Sequence, residues 1–229
     1  MPSPQRRILV VAALSYELEK LESAAHPGLV LLETGEGTAN AASQLETWFE
    51  RDRARAVLSI GFAGALSSCL QVGDLVVARD VRESNTKPDA NLLSAAEQLR
   101  LNMPFHFGLA ITSNQILWQA KSKQELSRSL LENEVGFVDM ESTAVANVCA
   151  KRGVPFLIAR SITDLLDEDL PLDFNLCRNS DGRVDQKRVM KAALLKPAAV
   201  KGLLELRKRS RVCSERMAAF VERFVPLIP

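Results

Sequence analysis

Three features of the chain predict an α/β fold, a three-layer sandwich around a mixed, mainly parallel central sheet. Short apolar runs alternate with amphipathic or polar stretches from residue 7 to about residue 165, the pattern of successive βαβ units. One run, Val154–Ile162, is almost unbroken apolar, as expected of a central strand covered on both faces. An acid, Asp164, lies just beyond that run, at the C-terminal edge where open α/β sheets place their ligands.

The elements follow in order. Arg7–Ala13 is a short buried strand, followed by a helix over Tyr16–Ser23. Gly28–Glu33 is a second strand; it runs into Thr34–Thr38 (TGEGT) and then the helix Ala39–Arg51. Ala56–Ile60 is a third strand, ending in the turn Gly61–Leu66 (GFAGAL). A turn at Gly73-Asp74 precedes the strand LVVARDV, which ends at Val81. Residues 83–105 are polar, with a helix around Leu92–Leu101. Phe107–Thr112 is another strand and Ala120–Glu132 another helix. After the VDME turn, Ser142–Arg152 puts Val145, Val148 and Cys149 on one helical face; Gly153 supplies a left-handed stop and Pro155 blocks continuation. Val184–Leu195 and Ala198–Phe224 read as helices separated by Lys196-Pro197. No internal repeat, low-complexity tract or linker divides the chain. Residues 1–229 are expected to form a single domain, with a helical extension over about 184–229.

Composition narrows the function classes. At 229 residues the chain can bury one full core, and 47% hydrophobic with 25% charged residues is globular. A formal net charge of +1 gives no bulk electrostatic case for nucleic acid, and 5% aromatics argues against base-stacking platforms. The cysteines Cys69, Cys149, Cys177 and Cys213 lack CxxC spacing, and the histidines His26 and His106 lie near no other soft ligand, so no metal site is expected. MPSPQRR leads into a strand without an apolar signal region, and no apolar stretch is long enough to span a bilayer. The expectation is a cytoplasmic protein with reduced thiols.

Four motifs, in this order, carry a resemblance. RILVVAALSYELEKL opens the chain; SIGFAGAL leads to QVGDLVV; VDMES follows; VPFLIARSITD closes the set. Together they resemble the purine nucleoside phosphorylase and methylthioadenosine/S-adenosylhomocysteine nucleosidase superfamily, over the chain to about residue 165. The resemblance implies cleavage of a purine N-glycosidic bond without a cofactor, in a homo-oligomer. Asp164 resembles the family's base-protonating aspartate, and burial at the end of an apolar strand would favour its protonated form. Glu141 resembles the glutamate that takes the ribose 2′- and 3′-hydroxyls, since an ionised carboxylate is acceptor-only. It also sets negative charge near the developing ribosyl cation. Met140 would pack on the sugar, and Glu17 resembles the carboxylate that activates water. Backbone groups near Asn114–Leu117, with Ile116 where a stacking aromatic is usual, would meet the base beside Asp164. Gly61, Phe62, Ala63 and Gly64 form the glycine turn at the site.

Each residue also has a plainer reading. Glu17 could be a solvated helix acid, Asp164 a helix cap, Glu141 a first-turn acid and Met140 core filler. Gly35, Gly37, Gly61 and Gly64 could merely permit tight turns.

Phosphorylases of the superfamily carry an arginine two residues before the first glycine of the GxxG turn and a serine right after it. Here those places hold Ser59 and Phe62, and Glu17 would repel an anion. Hydrolysis is therefore expected, with phosphate as co-substrate disfavoured. The C-terminal third, with its LP stretch, DGR, a helix, a KP break and a long helix, is similar to the hopanoid-associated phosphorylases, which implies an adenosyl lipid such as adenosylhopane as substrate. Residues 201–229 hold seven Lys/Arg against three Glu, so the last helix could touch the inner face of a membrane or could simply pack with a solvated basic face. Three readings stay open: a nucleosidase acting on an adenosyl lipid, the same chemistry on a soluble nucleoside such as methylthioadenosine or a futalosine-like compound, and a binder without turnover.

Overall fold

Eight strands form one sheet in the order β2-β1-β3-β8-β4-β7-β6-β5, and a further β5–β8 pairing curls its second half back on itself. The computed structural model describes residues 7–22 and 28–228; Ser23, expected to end the first helix, and His26 lie outside the described residues. In chain order the elements are β1 (Ile8–Ala12), α1 (Ser15–Glu22), β2 (Leu29–Glu33), α2 (Thr38–Arg51), β3 (Ala56–Ser59), β4 (Phe62–Ala65) and β5 (Leu75–Val81). Then come α3 (Ala90–Glu97), β6 (Phe105–Thr112), α4 (Ala120–Ser127), β7 (Gly136–Asp139), α5 (Ser142–Arg152), β8 (Phe156–Asp164), α6 (Gln186–Leu195) and α7 (Pro197–Phe224). The pairings are parallel except β4–β7 and β5–β8, so the sheet is mixed and mainly parallel as expected.

The sandwich follows from side-chain alternation. Ile8, Val10, Leu58 and Leu157 face one side, where α1, α3 and α7 cover them with Leu18, Leu92, Phe220 and Phe224. Leu9, Val11, Val57 and Ile158 face the other, against Leu45 of α2 and Val145, Val148 and Cys149 of α5. The long last helix is thus part of the core: Phe220 and Phe224 are fully buried and stack at 5.2 Å. Burying each such ring contributes about 1.5–3 kcal/mol.

β8 positions the site. All nine of its residues are buried, and it changes neighbour along its length. Phe156–Ile158 pair with β3, Ala159–Ser161 with β5, and Ser161–Asp164 with β4.

Several boundaries differ from expectation. The segment expected to be a turn, Gly61–Leu66, contains strand β4, because Phe62 and Ala63 find partners in Ser161 and Ile162 of β8. Asp164 is the last residue of β8, not a residue beyond it, and a register shift between Ala63 and Gly64 sets it opposite Gly64. The helices expected over Leu92–Leu101 and Ala120–Glu132 end earlier, at Glu97 and Ser127. α5 has the expected bounds, with Gly153 left-handed at φ 64. The Lys196-Pro197 break is real, and Pro197 opens α7 in the first turn, where its missing N–H costs nothing.

Candidate active site

A cavity of about 1500 Å³ opens at the C-terminal ends of β7 and β8 and along Phe62–Gly64 of β4. Glu17, Phe62, Ile116, Met140, Glu141 and Asp164 all reach it, with Ala63, Gly64 and Leu117 beside them. Gly61 stands behind Glu17, whose Oε1 would lie 2.9 Å from a methyl group added there. Residues distant in sequence thus line one cavity.

Glu17 lies near the start of α1 but is only 5% exposed, which removes the solvated-acid reading. Its Oε2 accepts the Leu14 N–H at 2.9 Å and its Oε1 the Phe62 N–H at 2.9 Å, so α1 and β4 fix it together. Burial pushes its carboxyl up to about 7, against the opposing pull of these N–H groups and of the Arg160 guanidinium.

The VDME turn divides its two acids. Asp139 ends β7, accepts from Ser142 N at 3.2 Å and from the Ser142 hydroxyl, and pairs with Arg160 of β8 at 2.8 Å. It is therefore committed to the start of α5 and to a buried cation. Glu141 is the N-cap residue of α5, yet its side chain caps nothing; Oε1 instead accepts the Gly37 N–H at 2.7 Å, from the turn before α2. This bond gives the TGEG turn its use. Burial, with Asp139 nearby, raises the Glu141 carboxyl above the usual range, and Arg160 opposes the shift. Met140 is half-buried on the cavity wall, and its Sδ lies 2.9 Å from Arg178 Nη2.

Asp164 is 7% exposed and caps no helix. Lys123 of α4 donates to its Oδ2 at 2.7 Å, and the Thr163 hydroxyl lies 3.0 Å from Oδ1. Burial raises the Asp164 carboxyl, and Lys123 holds it back. Lys123 escaped sequence reasoning, because a lysine on a polar helix is ordinarily solvated. Arg160 lies inside the motif VPFLIARSITD but was given no role there. Asn175, from a short 3-10 turn over Phe174–Cys177, was missed as well.

The base-side expectation narrows. The Ile116 N–H donates to Asn175 Oδ1 and its carbonyl accepts from Asn175 Nδ2, both at 2.9 Å, so this residue's backbone is already engaged. Leu117 remains on the cavity wall.

Of the two places where phosphorylases carry phosphate-binding groups, Ser59 is buried and receives Arg160 Nη2 at 3.2 Å. Phe62 is half-buried, its ring 5.7 Å from that of Tyr16. Among the described residues no group of three His, Cys, Asp or Glu is placed to hold a metal ion. None of their helices is long and apolar enough to cross a membrane.

Beyond the acids the cavity runs between α6 and α7. Val189, Met190, Ala193, Val200, Leu203 and Leu204 line it there, with Arg207, Lys208 and Arg211 at the same end. Met190 is 67% and Leu204 56% exposed.

Known proteins match this architecture. A 5′-methylthioadenosine/S-adenosylhomocysteine nucleosidase of an Exiguobacterium species is 28% identical over 169 residues, 64% of this chain and 72% of the relative. A protein of the same name from Halalkalibacterium halodurans is 27% identical over 168 residues, again 64% of this chain and 72% of the relative. The solved structure of the Neisseria meningitidis nucleosidase of that name, in complex with methylthio-immucillin-A, superposes with a TM-score of 0.75 at 19% identity. It covers 97% of this chain and 100% of its own. The family model of the phosphorylase superfamily matches residues 25–225. With most of its length matched by that model, this chain belongs to the phosphorylase superfamily.

Proposed function

We propose that this protein is a nucleosidase that breaks the N-glycosidic bond of an adenine nucleoside with water. The observation that carries the reading is the convergence of Glu17, Glu141 and Asp164 on one cavity. A binder needs a ribose acceptor but has no use for two further buried acids. The names of the two relatives support an adenine nucleoside as substrate.

The chemistry follows from the positions. As the C1′–N9 bond breaks, positive charge grows on the ribose and negative charge on the purine. Glu141 accepts the ribose diol and sets its charge beside the cation, an interaction that strengthens in the transition state. Met140 packs on the sugar. Glu17 takes a proton from the attacking water, and a carboxyl raised towards 7 is a stronger base than an ordinary one. Asp164 supplies a proton to N7, and Leu117 offers its backbone to the base edge. Water is favoured over phosphate because an anion here would meet Glu17 and Glu141. The buried cation nearby, Arg160, is engaged by Asp139 at 2.8 Å.

The substrate's 5′ group is the finer point. The apolar wall from α6 and α7 and the basic residues at its end support a long apolar 5′ substituent. An adenosyl lipid of the adenosylhopane type, drawn from a membrane surface, has that character. The test is release of the free base from methylthioadenosine, adenosylhopane and inosine. Release from both adenosyl compounds, with the lipid preferred, is expected. Release from methylthioadenosine alone removes the lipid, and release from none removes the nucleosidase reading.

A further inference from the structure

Lys123 is the buried residue of α4, with no exposed surface at all. Taking an ammonium out of water is costly, so such a lysine needs close partners. Its Nζ has two: Asp164 Oδ2 at 2.7 Å and the Leu165 carbonyl. Gly64 leaves the pair its space, since a methyl group there would lie 3.0 Å from Asp164 Oδ2 and 3.5 Å from Lys123 Cδ. The other charged and titratable groups facing the pair are Glu168 from the loop after β8 and Arg209 and Cys213 from α7; β4 and β7 present Gly64 and Val138. Glu168 and Arg209 bind each other at 2.7 Å. Lys123 and Asp164 bind each other directly, and Glu168 reaches Asp164 only through its charge.

Lys123 Nζ donates to Oδ2, and the nearer of the Thr163 hydroxyl's two acceptors is Asp164 Oδ1. A carboxylate that accepts on both oxygens has no proton of its own to give. The dissociable proton in direct contact sits on Lys123 Nζ. We propose that Lys123 holds the proton that Asp164 hands to the departing purine, the two side chains acting as one acid. The proposal rests on the nucleosidase reading above.

The step balances. The C1′–N9 pair of electrons goes to the purine, N7 takes a proton from Asp164, and Asp164 takes one from the Lys123 ammonium, leaving a neutral amine. Water adds its oxygen to C1′ and gives a proton to Glu17. Glu17 loses that proton to solvent, and the pair is reloaded through Asp164 once the base has left. Lys123 touches no substrate atom and is a positioning residue.

When two groups interact this closely, proton loss belongs to the pair and not to either residue. The pH dependence of kcat/KM tests the idea with the intact protein. On an adenine nucleoside the alkaline limb of the wild type should lie above neutrality. In Lys123→Met the alkaline limb should move down by about one pH unit or more, because Asp164 must then carry the proton alone. Lys123→Gln, which can still donate to Asp164 but has no dissociable proton, should show the same shift. With p-nitrophenyl riboside, whose leaving group departs unprotonated, this limb should be missing and neither variant should change the alkaline side of the profile. A wild-type alkaline limb at or below neutrality overturns the proposal, as does an unmoved limb in a folded variant or a loss shared equally by both substrates. Cleavage of no nucleoside by the wild type would instead overturn the nucleosidase reading.

Discussion

Glu17 must be ionised to take a proton from water, and its burial sets where that happens. A buried acid resists ionisation, so the carboxyl is raised from 4.5 to about 7. The sign is fixed: a base with a raised value is active above it and lost below it. Hydrolysis should therefore rise as pH increases through about 7, for purine and nitrophenyl substrates alike. An acid limb near the ordinary carboxylate range would show that Glu17 is not the base. Glu141 makes a different prediction. Hydrogen bonds to a charged group contribute about 1.5–3 kcal/mol each, about ten- to a hundredfold in kcat/KM. Glu141→Gln should impose that loss on ribonucleosides and spare their 2′,3′-dideoxy analogues. Equal losses on both would mark Glu141 as a structural residue of α5.

At the scale of elements, the catalytic geometry depends on how β4 and β8 meet α1 and α4. Gly61 takes φ 154, and a side chain there would press on Glu17 Oε1 at 2.9 Å. Gly61→Ala should leave the core intact and cut kcat by about a hundredfold, the usual cost of misplacing a reacting group by about 1 Å. Unchanged turnover, with the melting temperature as a control, would mean that Glu17 needs no fixed position.

The same elements show what was legible in the sequence. α5 was readable at both ends, because its apolar spacing, Gly153 and Pro155 act locally. β4 was not: four residues containing a glycine look like a turn, and only the long-range pairing with β8 makes them a strand. The acids were legible through their motifs. Lys123 was not, since nothing local distinguishes a lysine bound to Asp164, 41 positions away, from a solvated one. Asn175 escaped for the same reason, its partner Ile116 being 59 positions away.

For the whole molecule, size is the informative quantity. Pockets for drug-sized ligands measure about 300–1,000 Å³, and the cavity here is about 1500 Å³. Much of its lining comes from α6 and α7, beyond the part of the chain that carries the four motifs, with Val189, Met190, Ala193, Val200, Leu203 and Leu204 as its apolar wall. Leu204→Glu, on that wall, should raise KM for an adenosyl lipid about tenfold or more through lost apolar contact. It should leave methylthioadenosine unchanged. A variant that affects both equally would place the 5′ group elsewhere.

The central claim, hydrolysis of an adenine nucleoside by buried carboxyls, is tested most directly by identifying the sugar product with and without phosphate. Purified protein incubated with methylthioadenosine should yield adenine and a free sugar with a hydroxyl at C1′, at a rate independent of phosphate. A rate that climbs with phosphate concentration and a sugar 1-phosphate product would contradict it.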